Sequence, residues 1–248
     1  MNIIKTIWRK IYPTRLKYWF RSRQIMSTRR RTLYEIDKAL HFNSAITDSK
    51  WLRNKGFTPG GCAADYGALL SIFKVLNIMH PERTLEFGLG QSSKLIHQYA
   101  AHFGKSAVTV ESDPVWTDFF RRSIDEAYPV NVSFHPAEQV TYKGKKTLAY
   151  TNLEGITAQG PYDFVFVDGP FGSKHYSRSQ ILGMLPDGVA NDYCIIIHDM
   201  ERYGEQQTLE EAIKILTKAG KEPVVRLFHG EKSHAMLCSR SLYFLTTV

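Results

Sequence analysis

The chain has 248 residues, 43% of them hydrophobic and 23% charged, which suits a soluble globular protein of one α/β domain with an appendage better than two full domains. Its net charge of +8 is unevenly placed: Lys5, Arg9, Lys10, Arg15, Lys17, Arg21, Arg23, Arg29, Arg30 and Arg31 precede Tyr34 with no acidic residue among them, so the remaining chain is nearly neutral. The cysteines Cys62, Cys194 and Cys238 have no paired spacing, which excludes a zinc-ligand motif or a disulfide framework and implies a reducing compartment, and the absence of a long apolar run leads us to expect a cytoplasmic protein.

Residues 1–31 form the first segment. Ile3, Ile4, Ile7, Trp8, Ile11 and Tyr12 recur at helical spacing with Lys5, Arg9 and Lys10 opposite, and Pro13 ends the pattern. Arg15 to Arg31 adds basic residues around Tyr18, Trp19 and Phe20. Two readings stand: an interfacial arm on an anionic membrane, peripheral on its inner face, or an amphipathic helix packing on the domain or on a second subunit. Nucleic-acid binding is not expected, because no base-reading module follows.

Residues 32–80 read as a helical lead-in, with Leu69, Leu70, Ile72, Phe73, Leu76 and Ile78 before the Pro81 break and a turn at Thr58–Gly61. Residues 81–248 then alternate β-rich runs with helix-length segments, the pattern of βαβ units. Strands are expected at Thr84–Gly88, Ala107–Glu111, Val130–Phe134, Phe164–Asp168, Tyr193–His198, Val224–Phe228 and Ala235–Phe244, and helices near 92–103, 114–127, 175–185 and 205–219. Tyr142–Gly160 reads as an insertion loop or short hairpin. The expected fold is a Rossmann-like α/β domain: a seven-stranded, mostly parallel sheet with its last strand antiparallel and helices on both faces.

The chemistry gathers at strand ends. The first strand runs into Gly88-Leu89-Gly90-Gln91-Ser92-Ser93, and glycines at a strand-to-helix turn let a ligand approach backbone N–H groups. A dinucleotide fingerprint wants a third glycine where Ser93 stands, and Glu86 near the turn suits a cationic amino-acid group and repels a pyrophosphate. S-adenosylmethionine (SAM) therefore fits better than NAD. Glu111, about twenty residues on, is placed to take a ribose diol, while Asp113 with Pro114 reads as a helix cap. Ser112 and Glu138 join the expected cofactor set with Gly88, Gly90, Ser92, Ser93 and Asp168. The apolar runs before Asp168 and before His198-Asp199 read as central strands, and Asp168, His198 and Asp199 as the catalytic group: a divalent-cation site on the two aspartates, or a base for an acceptor hydroxyl.

The run Leu85-Glu86-Phe87-Gly88-Leu89-Gly90, then Glu111-Ser112-Asp113-Pro114-Val115-Trp116, Asp168-Gly169-Pro170 with Gly172, His198-Asp199 with Arg202 and Glu205, and Arg226-Leu227-Phe228-His229 resembles the polysaccharide-biosynthesis methyltransferases that include the plant glucuronoxylan 4-O-methyltransferases. The resemblance spans roughly Arg83 to His229, and that family carries alanine where this chain has Gly169. Gly67-Ala68-Leu69-Leu70 with Pro81 is also similar to the entry of the catechol O-methyltransferase type of fold, which implies that Asp168 and Asp199 are metal ligands. The implied activity is SAM-dependent methylation of a sugar or uronic acid hydroxyl in a cell-surface glycan. Lys174, His175, Arg178 and Arg202 are the candidate substrate cations, Arg178 and Arg202 foremost because guanidinium makes the better carboxylate fork. The rival expectations are a catechol-like small-molecule methyltransferase, an NAD-dependent sugar enzyme and a non-catalytic scaffold. An oligomer is compatible with all of them.

Overall fold

A computed structural model gives the fold; it describes residues 28–61, 63–124 and 128–247. Residues 1–27 of the basic segment and Cys62 lie outside the described residues. In chain order the elements are α1 (Thr28–Thr47), α2 (Tyr66–Met79), β1 (Arg83–Phe87), α3 (Gln91–Phe103), β2 (Ser106–Glu111), α4 (Pro114–Ser123), β3 (Val132–Phe134), β4 (Ala137–Tyr142), β5 (Lys145–Tyr150), α5 (Glu154–Thr157), β6 (Tyr162–Val167), α6 (Gln180–Met184), β7 (Val189–Ile197), α7 (Tyr203–Lys218), β8 (Val224–Phe228), β9 (His234–Cys238) and a closing 3₁₀ helix, Arg240–Thr247.

Seven strands form one sheet in the order β3-β2-β1-β6-β7-β9-β8. The strands β3, β2, β1, β6 and β7 pair in parallel. β9 runs antiparallel between β7 and β8, so the last strand in sequence lies one in from the edge. The dinucleotide-binding arrangement is instead parallel throughout, in the order 3-2-1-4-5-6.

The central strands are buried on both faces, which is why they read as unbroken apolar runs. Phe164, Phe166, Cys194, Ile196, Met236 and Cys238 point to one side, where they pack with Phe42 of α1, Leu69, Ile72 and Leu76 of α2 and Leu95 of α3. Val165, Val167, Ile195, Ile197, Ala235 and Leu237 point to the other and pack with Ile181 of α6 and Leu209 and Leu216 of α7. The two-residue period of the strand thus divides one apolar run between two layers of helix. The lead-in 32–80 shares the first of these cores, with Phe42, Leu69 and Leu76 fully buried.

Three elements differ from expectation. The insertion is a hairpin, β4 with β5, that begins at Ala137. The last strand stops at Cys238, where Ser239 and Ser241 donate to Asp192 and Leu245 turns back into the core. The helix expected over 175–185 is only Gln180–Met184, because Tyr176 and Arg178 adopt left-handed backbone, φ 44° and 60°, which an α-helix cannot contain.

Candidate active site

Phe87 lies opposite Val110 and Val167, and Val167 opposite Ile197. The next residues, Gly88, Glu111, Asp168 and His198, therefore form one row at the carboxyl edge, where the chain direction across the sheet switches between β1 and β6 and open α/β sheets bind ligands.

The glycine turn closes on backbone. Gly88 has φ 97°, and a Cβ there would stand 2.9 Å from Gly169 N; a Cβ on Gly169 would stand 2.7 Å from Gly88 Cα and 2.6 Å from Tyr150 Oη. Around Gly90 an added Cβ would meet nothing within 4 Å, so the turn has open space above it. Beneath it, Glu86 is fully buried and accepts from Ser92 Oγ (2.5 Å), Ser93 Oγ (2.6 Å) and Thr109 Oγ1 (2.6 Å). Ser93 Oγ also accepts from Gly90 N at 2.9 Å. Thr109 donates its only hydrogen to Glu86, so in its 2.8 Å contact with His97 Nε2 that nitrogen is the donor; burial separately pulls the His97 pKa down to about 4, which keeps the imidazole neutral. Burial pushes the Glu86 carboxyl up to about 7 against the three hydroxyl donors. Glu86, Ser92 and Ser93, expected to contact a cofactor, bond one another beneath the turn.

Glu111 ends β2 with Oε2 accepting from Leu89 N (3.0 Å) and Oε1 from Ser112 N (2.6 Å) and Asp113 N (3.0 Å). All its partners are N–H or hydroxyl groups. Asp113 caps α4 through Val115 N and Trp116 N, with Pro114 opening the helix, as the local pattern indicated. Trp116 Nε1 then donates to Leu89 O at 2.8 Å and ties α4 to the turn. Glu138 stands apart on the exposed face of β4, where it accepts from Thr151.

At the other half of the row, His198 is wholly buried between two carboxylates, with Nδ1 3.0 Å from Asp168 Oδ1 and Nε2 3.4 Å from Asp65 Oδ1. Burial opposes its charge, but Asp168 and Asp65 together prevail and raise its pKa to about 10. Asp168 is held at about 2: burial would raise it, and the His198 and Arg178 cations overcome that. Arg178, 2% exposed, places Nη2 2.7 Å from Asp199 Oδ2 and 3.1 Å from Asp168 Oδ1. Its other nitrogens donate to the carbonyls of Val167, Pro170 and His198. Arg202, half exposed, adds a contact of 2.8 Å to Asp199 Oδ2, and Lys232 Nζ stands 4.0 Å from Asp199 Oδ1.

Asp65 and Lys232 belong to this site and were not anticipated. The signal for Asp65 was present, a carboxylate just before an apolar helical run, and it does cap α2 through Ala68 N. Its second role emerges only where the β8–β9 loop arrives: Asp65 Oδ2 accepts from Lys232 N, and Lys232 Nζ donates to Ala63 O.

The other substrate candidates fare differently. Arg178, expected to meet a substrate carboxylate, is buried against aspartates and carbonyls of the protein itself. Lys174 is exposed, His175 meets Gln207 Oε1 at 3.2 Å, and Arg202 keeps an exposed edge.

The donor set does not fit a divalent ion. Asp168, His198 and Asp199 bring ligand atoms within 4.8 Å of one another. Both His198 nitrogens, however, already face carboxylates, and the aspartates are bridged by Arg178. The glycine turn does fit SAM: Gly90 leaves room, and the nearby carboxylates suit a cationic ligand.

No family model and no curated protein sequence matches the chain. Among solved structures it is similar to the O-methyltransferase from Bacillus cereus in complex with SAH, at 14% identity and a TM-score of 0.50 over 90% of this chain and 96% of that one. It is also similar to SAH-bound PaMTH1, a methyltransferase of Podospora anserina, at 11% identity and TM-score 0.45 over 97% of each chain. Precorrin-6y C5,15-methyltransferase from Geobacter metallireducens matches at 13% identity and TM-score 0.49 over 75% of this chain and 95% of that one. The first of these shows that the chain has a Rossmann-like methyltransferase fold. The sugar acceptor implied by the motifs rests on the motifs alone.

Proposed function

We propose that the protein is a SAM-dependent O-methyltransferase acting on a hydroxyl of a sugar or uronic acid in a cell-surface polysaccharide or its lipid-linked precursor. The observation that carries this reading is the glycine turn, closed on backbone at Gly88, open above Gly90 and flanked by Glu111, a carboxylate with no cationic partner among the described residues. Such a turn favours a cationic ligand over a diphosphate, and the reversed β9 departs from the dinucleotide-binding order. The sugar as acceptor draws its support from the motif resemblance.

When bound, SAM supplies an electrophilic methyl group on a sulfonium. Glu111 is the residue to hold its ribose diol, since Oε2 accepts only one N–H and retains a lone pair. Asp168 Oδ1 is shared by His198 and Arg178, while Oδ2 has no partner among the described residues. We assign Oδ2 to the acceptor hydroxyl: it would orient the oxygen and receive its proton as the C–O bond forms and the methyl C–S bond of the sulfonium breaks, leaving a neutral thioether. A carboxylate of low pKa suffices, because the oxygen becomes strongly acidic as it gains the methyl group. His198 does not serve as the base; charged and enclosed, it fixes Asp168. Residues 1–31, basic and aromatic, would bring the enzyme to an anionic membrane on which a lipid-linked acceptor is made.

Calorimetry with SAM and NAD, followed by turnover with sugar, uronate and phenolic acceptors, tests the proposal. SAM binding with methylation of a sugar hydroxyl is expected. Methylation confined to phenols would overturn the acceptor class, and NAD binding without SAM binding would overturn the whole reading.

A further inference from the structure

Arg178 lies inside the centre of the site rather than on its rim. Its Nη2 bridges Asp168 and Asp199 at 3.1 and 2.7 Å, and its remaining contacts are the buried Glu205 carboxylate at 4.0 Å and carbonyls at the ends of β6 and β7 and in the loop after β6. The loop that carries it is built for this. Arg178 holds a left-handed backbone, φ 60°, which a non-glycine residue keeps only when its surroundings enforce it. They do: Ser177 N donates to Gly204 O at 3.2 Å, Thr208 Oγ1 donates to Ser177 O at 2.6 Å, and a Cβ on Gly204 would collide with Ser173 O.

We propose that Arg178 is the site's own cation, standing between Asp168 and Asp199 where a divalent ion would otherwise bridge them, so that the centre operates without bound metal. The carboxylates have cations of the protein's own beside them without an ion: Asp168, Asp199 and Glu205 face Arg178, Arg202 and Lys232. Asp199 Oδ1, the oxygen that Arg178 leaves free, is itself faced by Lys232 Nζ at 4.0 Å, so a dication approaching from that side meets a positive group. Arg178 is a positioning residue: it holds Asp168 Oδ1 and leaves Oδ2 for the acceptor.

The test is titration of the full-length protein with Mg²⁺, Mn²⁺ and Ca²⁺, read by thermal unfolding and calorimetry without SAM or acceptor, so that its outcome is separate from that of the methyl-transfer reading. The wild type should change Tm by less than about 1 °C at ion concentrations where a bound dication at 100 times its Kd would raise it by roughly 5 °C or more. Arg178→Ala should unfold at lower temperature and regain part of the loss as divalent ion is added, because the ion enters the vacated place. Arg178→Gln, closer in shape, should gain the same ion response if the alanine variant does not fold. A saturable shift in the wild type that Asp199→Asn removes would overturn the proposal. A folded Arg178 variant indifferent to every ion would also overturn it, by showing that the guanidinium does not stand in an ion's place.

Discussion

Substituting Gly169 by alanine probes the close approach on which the glycine turn depends. The new Cβ would stand 2.6 Å from Tyr150 Oη, 2.7 Å from Gly88 Cα and 2.9 Å from Gly88 N. The tyrosine could yield by a small rotation, but the two Gly88 atoms are backbone and yield only if the end of β1 moves. Overpacking of this kind costs about 1–3 kcal/mol, which in a chain of this size lowers Tm by roughly 3–10 °C. Displacing Gly88 also draws Leu89 N away from Glu111 Oε2, a 3.0 Å bond, so SAM affinity should fall about tenfold or more, roughly 1.4 kcal/mol. Removing the hydroxyl with Tyr150→Phe should recover only part of both losses, because the Gly88 contact remains. The alanine carried here by the resembled family would thus not fit this chain unaltered. Differential scanning calorimetry and SAM titration of Gly169→Ala decide the matter: unchanged Tm together with unchanged affinity would refute the backbone-contact argument.

Glu111→Ala should weaken SAM binding by about 1–3 kcal/mol in calorimetry, the scale of a lost hydrogen bond to a charged group, and unaltered affinity would remove Glu111 from the ribose site. Asp168→Asn should abolish turnover while sparing SAM affinity, and full activity in that variant would eliminate Asp168 as the proton acceptor. For stability against pH, His198 is raised from 6.5 to about 10 and Asp168 lowered from 3.8 to about 2, so their mutual stabilisation is complete between about pH 4 and 6.5. It is lost as pH rises through 10 or falls through 2, and Tm measured across this range should show a shallower alkaline decline in His198→Asn than in the wild type. Deleting residues 1–31 should abolish sedimentation with anionic vesicles, which raised salt should already weaken in the full chain; equal sedimentation with neutral vesicles would count against the electrostatic reading.

Local rules sufficed for much of the molecule. An apolar run bounded by polar residues marks a central strand wherever it sits, so β6 and β7 were legible without their neighbours. The Asp113-Pro114 cap and the Gly88–Gly90 turn likewise depend on adjacent residues, and the reversed last strand followed from the short link between two β-rich runs.

Charge pairing was decided only by the tertiary structure. Glu86 and Asp168 look alike in sequence, each a carboxylate one or two residues before a glycine near a strand end. Glu86 lies within β1 opposite Thr109 of β2, which buries it among hydroxyls, while Asp168 follows β6 and comes beside His198 at the end of β7. Arg178 read as one more cation on a helix face until its left-handed backbone turned it between two aspartates, 10 and 21 residues away along the chain. Asp65 meets His198 across 133 residues. Capping and periodicity act over a few residues and are written in local composition. Which carboxylate meets which cation depends on strand order and loop path, and those are set when the whole apolar surface is buried at once.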